Sequence, residues 1–308
     1  MANFTNHGNR TTYEEFYCYG KVDGEHQQAF IITLSIIISV TAFLGNALII
    51  VALPKVSSIH PSSKLLLSCL VWSDLSVGLI LEPLYITFLL SQDDASLCYY
   101  LDTIYATAAV IFCGVSTQTV TAISVDRLLA LSLGLRYRQI VPIRRVRVFL
   151  LMSWLFSIAT SLTYLFGEIL IHTSITCIGL LICVAVSTFC YTKIYLTLRR
   201  HHSQVHNNQE DPPGEGRVPL NVARYRKTVS SVLWVQMSLV VCYLPYIILA
   251  TLTTLLEVFS SSLHFLGELT FTLLMFNSSL NPILYCWKIP GVRQAVLETI
   301  RKCFHLSG

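Results

Sequence analysis

The sequence predicts an all-α membrane protein: a seven-transmembrane helix bundle with a short amphipathic surface helix after helix seven. Three observations carry this. The 308-residue chain is 54% hydrophobic and only 12% charged, with mean hydropathy +0.62, where an ordinary soluble domain is about 25% charged. Seven separate runs approach the ~20 apolar residues that a crossing needs, and Asp74 is the one charge inside them. No run alternates with a two-residue period. Backbone in hydrocarbon must satisfy its own polar groups, so such runs form helices.

The elements follow in order. Residues 1–28 are polar and form an extracellular tail, with no cleavable signal peptide; the first helix serves as an uncleaved anchor. The apolar unit covers 29–287, with helices expected at 29–53, 64–91, 98–131, 146–168, 170–200, 222–256 and 263–287. The long polar loop at 201–220, containing HHSQVHNNQEDPPGEGRV, is expected to be disordered. In 288–308, Ile289, Val292, Val296, Leu297, Ile300 and Phe304 recur at helical spacing with Arg293, Arg301 and Lys302 between them. That pattern reads as an amphipathic helix on the inner surface, followed by a tail. No internal repeat is visible, and an odd span count argues against the paired halves of many transporters.

Charge sets the orientation. Of 21 Lys and Arg residues, only Arg10 and Lys21 fall on the outer side if the N-terminus is outside. The acids, Glu82, Asp102, Glu168, Glu257 and Glu268 among them, concentrate on that outer side. This places the N-terminus outside and the C-terminus in the cytoplasm of a multi-pass plasma-membrane protein. Asn3 and Asn9 sit in glycosylation sequons on the outer tail. Cys18 and Cys98 are the cysteines facing outward at the membrane edge, which leaves open a disulfide between them or two free thiols. Cys303, beside basic residues on the surface helix, is a palmitoylation candidate.

Polar signatures recur inside the apolar runs. Gly45-Asn46 lies in helix one, Leu70 and Asp74 in helix two, and Asp126-Arg127-Leu128 at the inner end of helix three. Leu135 and Tyr137 follow; Trp154 is in helix four, Cys242-Tyr243-Leu244-Pro245 in helix six and Asn281-Pro282-Ile283-Leu284-Tyr285 in helix seven. An isolated Asp-Arg pair merely marks a helix end. Together, over residues 29–304, the set resembles the rhodopsin-like G-protein-coupled receptors, and is nearest in pattern to their melanocortin, cannabinoid and adenosine-like group. Four positions depart from the family: Asp-Arg-Leu for its usual Asp-Arg-Tyr, Tyr243 for its helix-six Trp, Cys183 for its helix-five Pro, and Asp102 for its helix-three Cys.

The resemblance implies roles. Asp74, Ser116, Asn277, Asn281 and Asn46 match a polar cluster that holds a sodium ion in related receptors, and an intramembrane carboxylate is functional by default. The alternative is a protonated Asp74 in a water-filled polar network. Arg127 pairs with Asp126 at rest and moves towards Tyr191 and Tyr285 on activation, a two-position switch. Tyr243, Pro245 and Pro282 complete that switch, since a proline removes a backbone hydrogen bond and gives helix six a pivot. Tyr225, Arg226 and Lys227 stand where the family often carries an acidic partner, so basal activity is expected. Arg127, Leu135, Lys193, Arg199, Arg224 and Lys227 would meet a heterotrimeric G protein. Thr299 and Ser307 are the only tail phosphorylation candidates after Lys288, so arrestin recruitment would lean on loop Ser203 and be weak.

The ligand is less constrained. Ala109 stands where amine receptors carry an Asp, and helix seven has no Lys for a retinal Schiff base. Glu82, Asp102, Tyr105, Ala109, Tyr243 and Tyr246 are the expected ligand-binding positions, and Asp102 occupies the place of a melanocortin-type carboxylate that helps bind Ca2+. The acidic outer face favours a small cationic peptide by steering. A lipid ligand entering from the bilayer is the rival, and membrane lipids are partners in either case. A seven-helix transporter or channel is the reading from another class. Nothing points to an enzyme, a covalent cofactor or nucleic acid.

Overall fold

The computed structural model describes residues 25–57, 59–207, 222–256 and 260–305, with the side chains of 201–237 outside that description. It is a bundle of seven long helices: α1 (Glu25–Ala52), α2 (Pro61–Leu90), α3 (Ala95–Leu133), α4 (Ile143–Leu165), α5 (Ile169–Asn207), α6 (Val222–Leu256) and α7 (Ser261–Lys288). A short inner-loop helix, Tyr137–Ile140, precedes α4, and α8 (Pro290–His305) follows α7. Outer and inner below follow the orientation expected from charge. The chain is a multi-pass, all-helical membrane protein.

Caps explain why some helices start earlier than hydropathy suggests. The Asp94 carboxylate accepts from the backbone of Ser96 at 3.0 Å and Leu97 at 3.2 Å, and starts α3. Ser260 accepts from Leu263 at 3.3 Å and starts α7. Each cap satisfies amides that the first turn leaves unpaired. At the other end of α5, residues 201–207, expected in the loop, are helical; the rest of that loop lies outside the described residues.

Six of these helices are long and apolar enough to cross a membrane on composition alone. α7 is as long as α1 but carries His264, Glu268, Asn277 and Asn281. All four are buried, so its polarity is turned inward. The bundle is apolar outside, with Ile37, Leu44, Leu151, Met152 and Ile182 exposed, and polar within.

α3 runs through the centre and touches α2, α4 and α5; α7 packs between α1 and α6. Glycines permit close helix approaches. A Cβ on Gly78 would lie 2.7 Å from the Phe43 amide nitrogen and 2.9 Å from the Ser39 carbonyl, and one on Gly45 would lie 3.0 Å from the Pro282 ring. Around Gly78, residues Val77–Leu81 form a π turn. The extra residue rotates everything beyond it by about 100° relative to a regular helix. Glu82 and Tyr85 thereby become fully buried.

α8 seats Val292, Ala295 and Val296 against Ile49, Ala52 and Leu53 of the first helix and its end. Lys55 donates to Thr299 at 2.7 Å, and Thr299 is buried. Thr299 is therefore a structural contact rather than an open phosphorylation site.

Candidate functional site

The functional residues lie in three layers. The outer layer is a cavity of about 140 Å³ walled by Tyr105, Ala109, Tyr164, His172, Tyr246, Glu268 and Phe271, among others. Below it, a chamber of about 290 Å³ shares the walls Ala109, Tyr246 and Phe271 and extends between α3, α4 and α5 past Gly114, Gln118, Thr176 and Gly179. Gly179 has open space at its Cβ position, and the Thr176 hydroxyl has no hydrogen-bond partner among the described residues.

An aromatic lattice fixes the outer cavity. Tyr105 lies 4.6 Å from Phe88 and 5.5 Å from Tyr85 between ring centres, and Phe271 lies 5.2 Å from Tyr85 and 6.1 Å from Tyr246. Tyr85 donates its hydroxyl to Glu268, and His264 lies one turn away, its Nε2 3.7 Å from the same carboxylate. Glu268 is thus an acid at the cavity wall, which its assignment to the outer edge missed. Its helical spacing from His264 was the available signal.

Of the expected ligand positions, Tyr105, Ala109 and Tyr246 line the cavity. Asp102 is buried and accepts from Tyr164. Glu82 lies against Ser35 of α1 rather than in the cavities described, and neither of its oxygens has a hydrogen-bond partner among the described residues. Tyr243 lies below the cavity. Among the described residues no three His, Cys, Asp or Glu side chains converge. Cys98 is disulfide-bonded; Cys18, its expected partner, lies outside the described residues, as do Asn3 and Asn9.

The middle layer is polar. Asp74 is fully buried. Ser116 donates to its Oδ1 at 2.7 Å, Ser278 to the same oxygen at 2.9 Å, and Asn281 to Oδ2 at 2.7 Å. Ser278 was not among the expected partners. Asn277, which was, donates instead to the Tyr243 hydroxyl at 3.2 Å, and Thr117 donates there at 3.0 Å. Asn46 donates to the carbonyls of Ala42 and Ser278, which leaves its Oδ1 unpartnered among the described residues. Asp74 and the Ser116 and Ser278 oxygens beside it are the groups that could hold a monovalent cation.

The inner layer holds Asp126 and Arg127. The Arg127 guanidinium is 3.4 Å from Asp126 and 41% exposed. Tyr137 and Ser63 donate to the two oxygens of the same carboxylate, Ser63 at 2.7 Å. Burial, then the hydrogen bond to Asp126, raises the Tyr137 phenol above its usual pKa, so it stays a donor. Tyr191 is buried between Leu128 and Leu198, within electrostatic reach of Arg127, and Tyr285 lies near Tyr191. Pro245 and Pro282 lie inside α6 and α7. Lys193 stacks over exposed Phe189, 5.7 Å from its ring centre. Arg199 is exposed. The side chains of Leu135, Arg224, Lys227 and Cys303 lie outside the described residues.

The description "7 transmembrane receptor (rhodopsin family)" matches residues 45–170 and 167–285. The chain belongs to this family. Among its relatives, the adenosine receptor A3 of Ovis aries is 25% identical over 88% of this chain and 90% of its own length. The trace amine-associated receptor 9 of Rattus norvegicus is 24% identical over 83% and 82%. The high-affinity lysophosphatidic acid receptor of Xenopus laevis is 23% identical over 89% and 82%. This rhodopsin-family receptor is therefore not an enzyme.

Proposed function

We propose that this protein is a plasma-membrane receptor, N-terminus outside, for a small amphipathic ligand with a cationic group, and that it acts on a heterotrimeric G protein. One observation carries the ligand class. The stacked cavities, about 140 and 290 Å³, form a small-molecule space whose one wall carboxylate among the described residues is Glu268, with an apolar chamber beneath. Such a space suits a ligand-sized molecule or the end residue of a cationic peptide, but not a whole peptide. The named relatives bind adenosine, trace amines and lysophosphatidic acid, all small molecules, which supports the size.

The residues suggest the mechanism. A ligand between Tyr246 and Phe271 would press on α6 one turn above Tyr243. Tyr243 ties α3 and α7 together through Thr117 and Asn277, so displacing it frees α6 to pivot at Pro245. The inner end of α6 then swings outward, and Arg127 leaves Asp126 for Tyr191 and Tyr285. Asp74, Ser116, Ser278 and Asn281 would hold a sodium ion whose charge offsets the buried carboxylate and favours the resting packing.

The test is heterotrimer dissociation by energy transfer in cells exposed to an amine library and to matched neutral analogues. The expected result is a cationic activator whose potency falls at least tenfold in Glu268→Gln. Neutral lipids activating both forms equally would replace this reading with a lipid receptor. The opening of the lower chamber onto the exposed, lipid-facing Phe156 and Ile182 favours that alternative.

A further inference from the structure

A larger cavity, about 460 Å³, lies in the inner half of the bundle and meets the lower ligand chamber only at Gln118 and Cys183. Leu66, Ala122, Val125, Val141, Val146 and Phe149 give it an apolar wall between α3, α4 and the inner loop. Phe149 and Ile140, at its edge, are exposed on the face that hydropathy turns towards lipid. The cleft therefore opens sideways into the bilayer at the depth of the inner leaflet.

Its cytoplasmic rim is basic. Arg145 lines the cleft and donates to the Ile140 carbonyl at 2.8 Å, while Arg144 and Arg147 stand exposed on the same first turns of α4. Asp126 is the one acid in the wall, and its oxygens are already taken by Tyr137, Ser63 and Arg127. The other polar groups of the wall are satisfied too: Gln118 by Ser153 and Ser157, and Thr121 by the Thr117 carbonyl. Such a space does not bind water well.

We propose that this cleft holds an acyl chain of an anionic phospholipid of the inner leaflet, its headgroup paired with Arg145 and its basic neighbours. Charge complementarity selects the occupant: the cytoplasmic leaflet is the negatively charged one, and basic side chains at its surface attract its headgroups. A seated chain touches Ala122 and Val125, one turn or less from Asp126 on α3. Occupancy then stiffens the helix that carries the Asp126–Arg127 pair. That consequence rests on the coupling proposed above; the binding itself does not.

The experiment is native mass spectrometry of the full-length receptor released from nanodiscs of phosphatidylcholine with or without phosphatidylserine. Wild type is expected to retain one phosphatidylserine in preference to phosphatidylcholine. Ala122→Phe fills the cleft without touching surface charge and should cut retention about tenfold. Leu129 also lines the cleft, and Leu129→Trp narrows it and serves as the second variant if Ala122→Phe does not fold. Arg145→Gln should weaken retention about fivefold, in line with one headgroup contact. Equal retention of the two lipids, or undiminished retention in a folded cleft-filling variant, would overturn the proposal. No G protein is present, so failure to couple leaves the result readable.

Discussion

Tyr137 of the inner loop donates its hydroxyl to Asp126 of α3, and Ser63 of α2 completes the triangle, 2.7 Å from Asp126 and 3.2 Å from the Tyr137 hydroxyl. The Asp126 carboxylate thus gathers three elements while holding Arg127 at 3.4 Å. The Arg127 contact is long and its guanidinium is half-exposed, so solvent screens it in part. The buried hydroxyl bonds to a charged acceptor are stronger, roughly 1.5–3 kcal/mol each. We therefore place the resting restraint in Tyr137 and Ser63 more than in the Asp126–Arg127 pair.

Tyr137→Phe is expected to raise basal G-protein activation about tenfold or more, the equilibrium equivalent of one such bond. Basal heterotrimer dissociation at matched surface level measures this, with Arg127→Ala as the zero. An unchanged basal signal would mean that the triangle persists in the active arrangement.

How much of this was legible follows from range in sequence. Asp74 stood out because one charge in an apolar run is conspicuous, and its neighbours Ser116 and Asn281 came with the family pattern. The Ser63–Asp126 contact spans 63 residues, and no local periodicity encodes it. Glu268 was counted with the outer acids on charge sidedness, although the helix expected at 263–287 contains it; the Ser260 cap starts α7 at Ser261 and carries Glu268 two turns inside. Glu82 escaped for another reason. The π turn at Val77–Leu81 turns it inward, and an assumed period of 3.6 residues cannot show a register change.

The close approach at Gly78 gives a stability prediction. A Cβ there would meet the α1 backbone at 2.7 and 2.9 Å, and the Ser39 hydroxyl donates to the Gly78 carbonyl at 2.7 Å, so neither helix can yield easily. Gly78→Ala should destabilise the receptor by roughly 1–3 kcal/mol, the usual overpacking cost, and lower surface expression. Gly179→Ala enters open space and should melt at or above the wild-type temperature, since alanine suits a helix better. Thermal melting in detergent compares the two; equal melting would contradict the packing argument.

Tyr243 joins three helices through a single hydroxyl. Tyr243→Phe keeps the ring, but leaves the Asn277 amide without its acceptor, while Thr117 retains its bond to the Cys113 carbonyl at 2.7 Å. One buried donor left unpaired costs roughly 1–3 kcal/mol. The melting temperature should fall, and basal signalling should rise because α3 and α7 no longer restrain α6. A Tm within error of wild type would show that water replaces the hydroxyl at no cost.

The Asp74 cluster can be tested before any agonist is known, because an ion that binds only the folded state raises stability by linkage. Wild type is expected to melt higher in sodium chloride than in choline chloride of equal ionic strength. Asp74→Asn removes the charge while keeping an oxygen for Ser116 and Ser278, so it should melt alike in both salts. Ser278→Ala loses one hydroxyl, 2.9 Å from Oδ1, and should keep part of the sodium increment. If wild type itself melts alike in the two salts, a proton rather than a metal ion offsets the Asp74 charge. The hydrogen-bonded cluster would then stand as a structural core, with the resting state held chiefly at Tyr137.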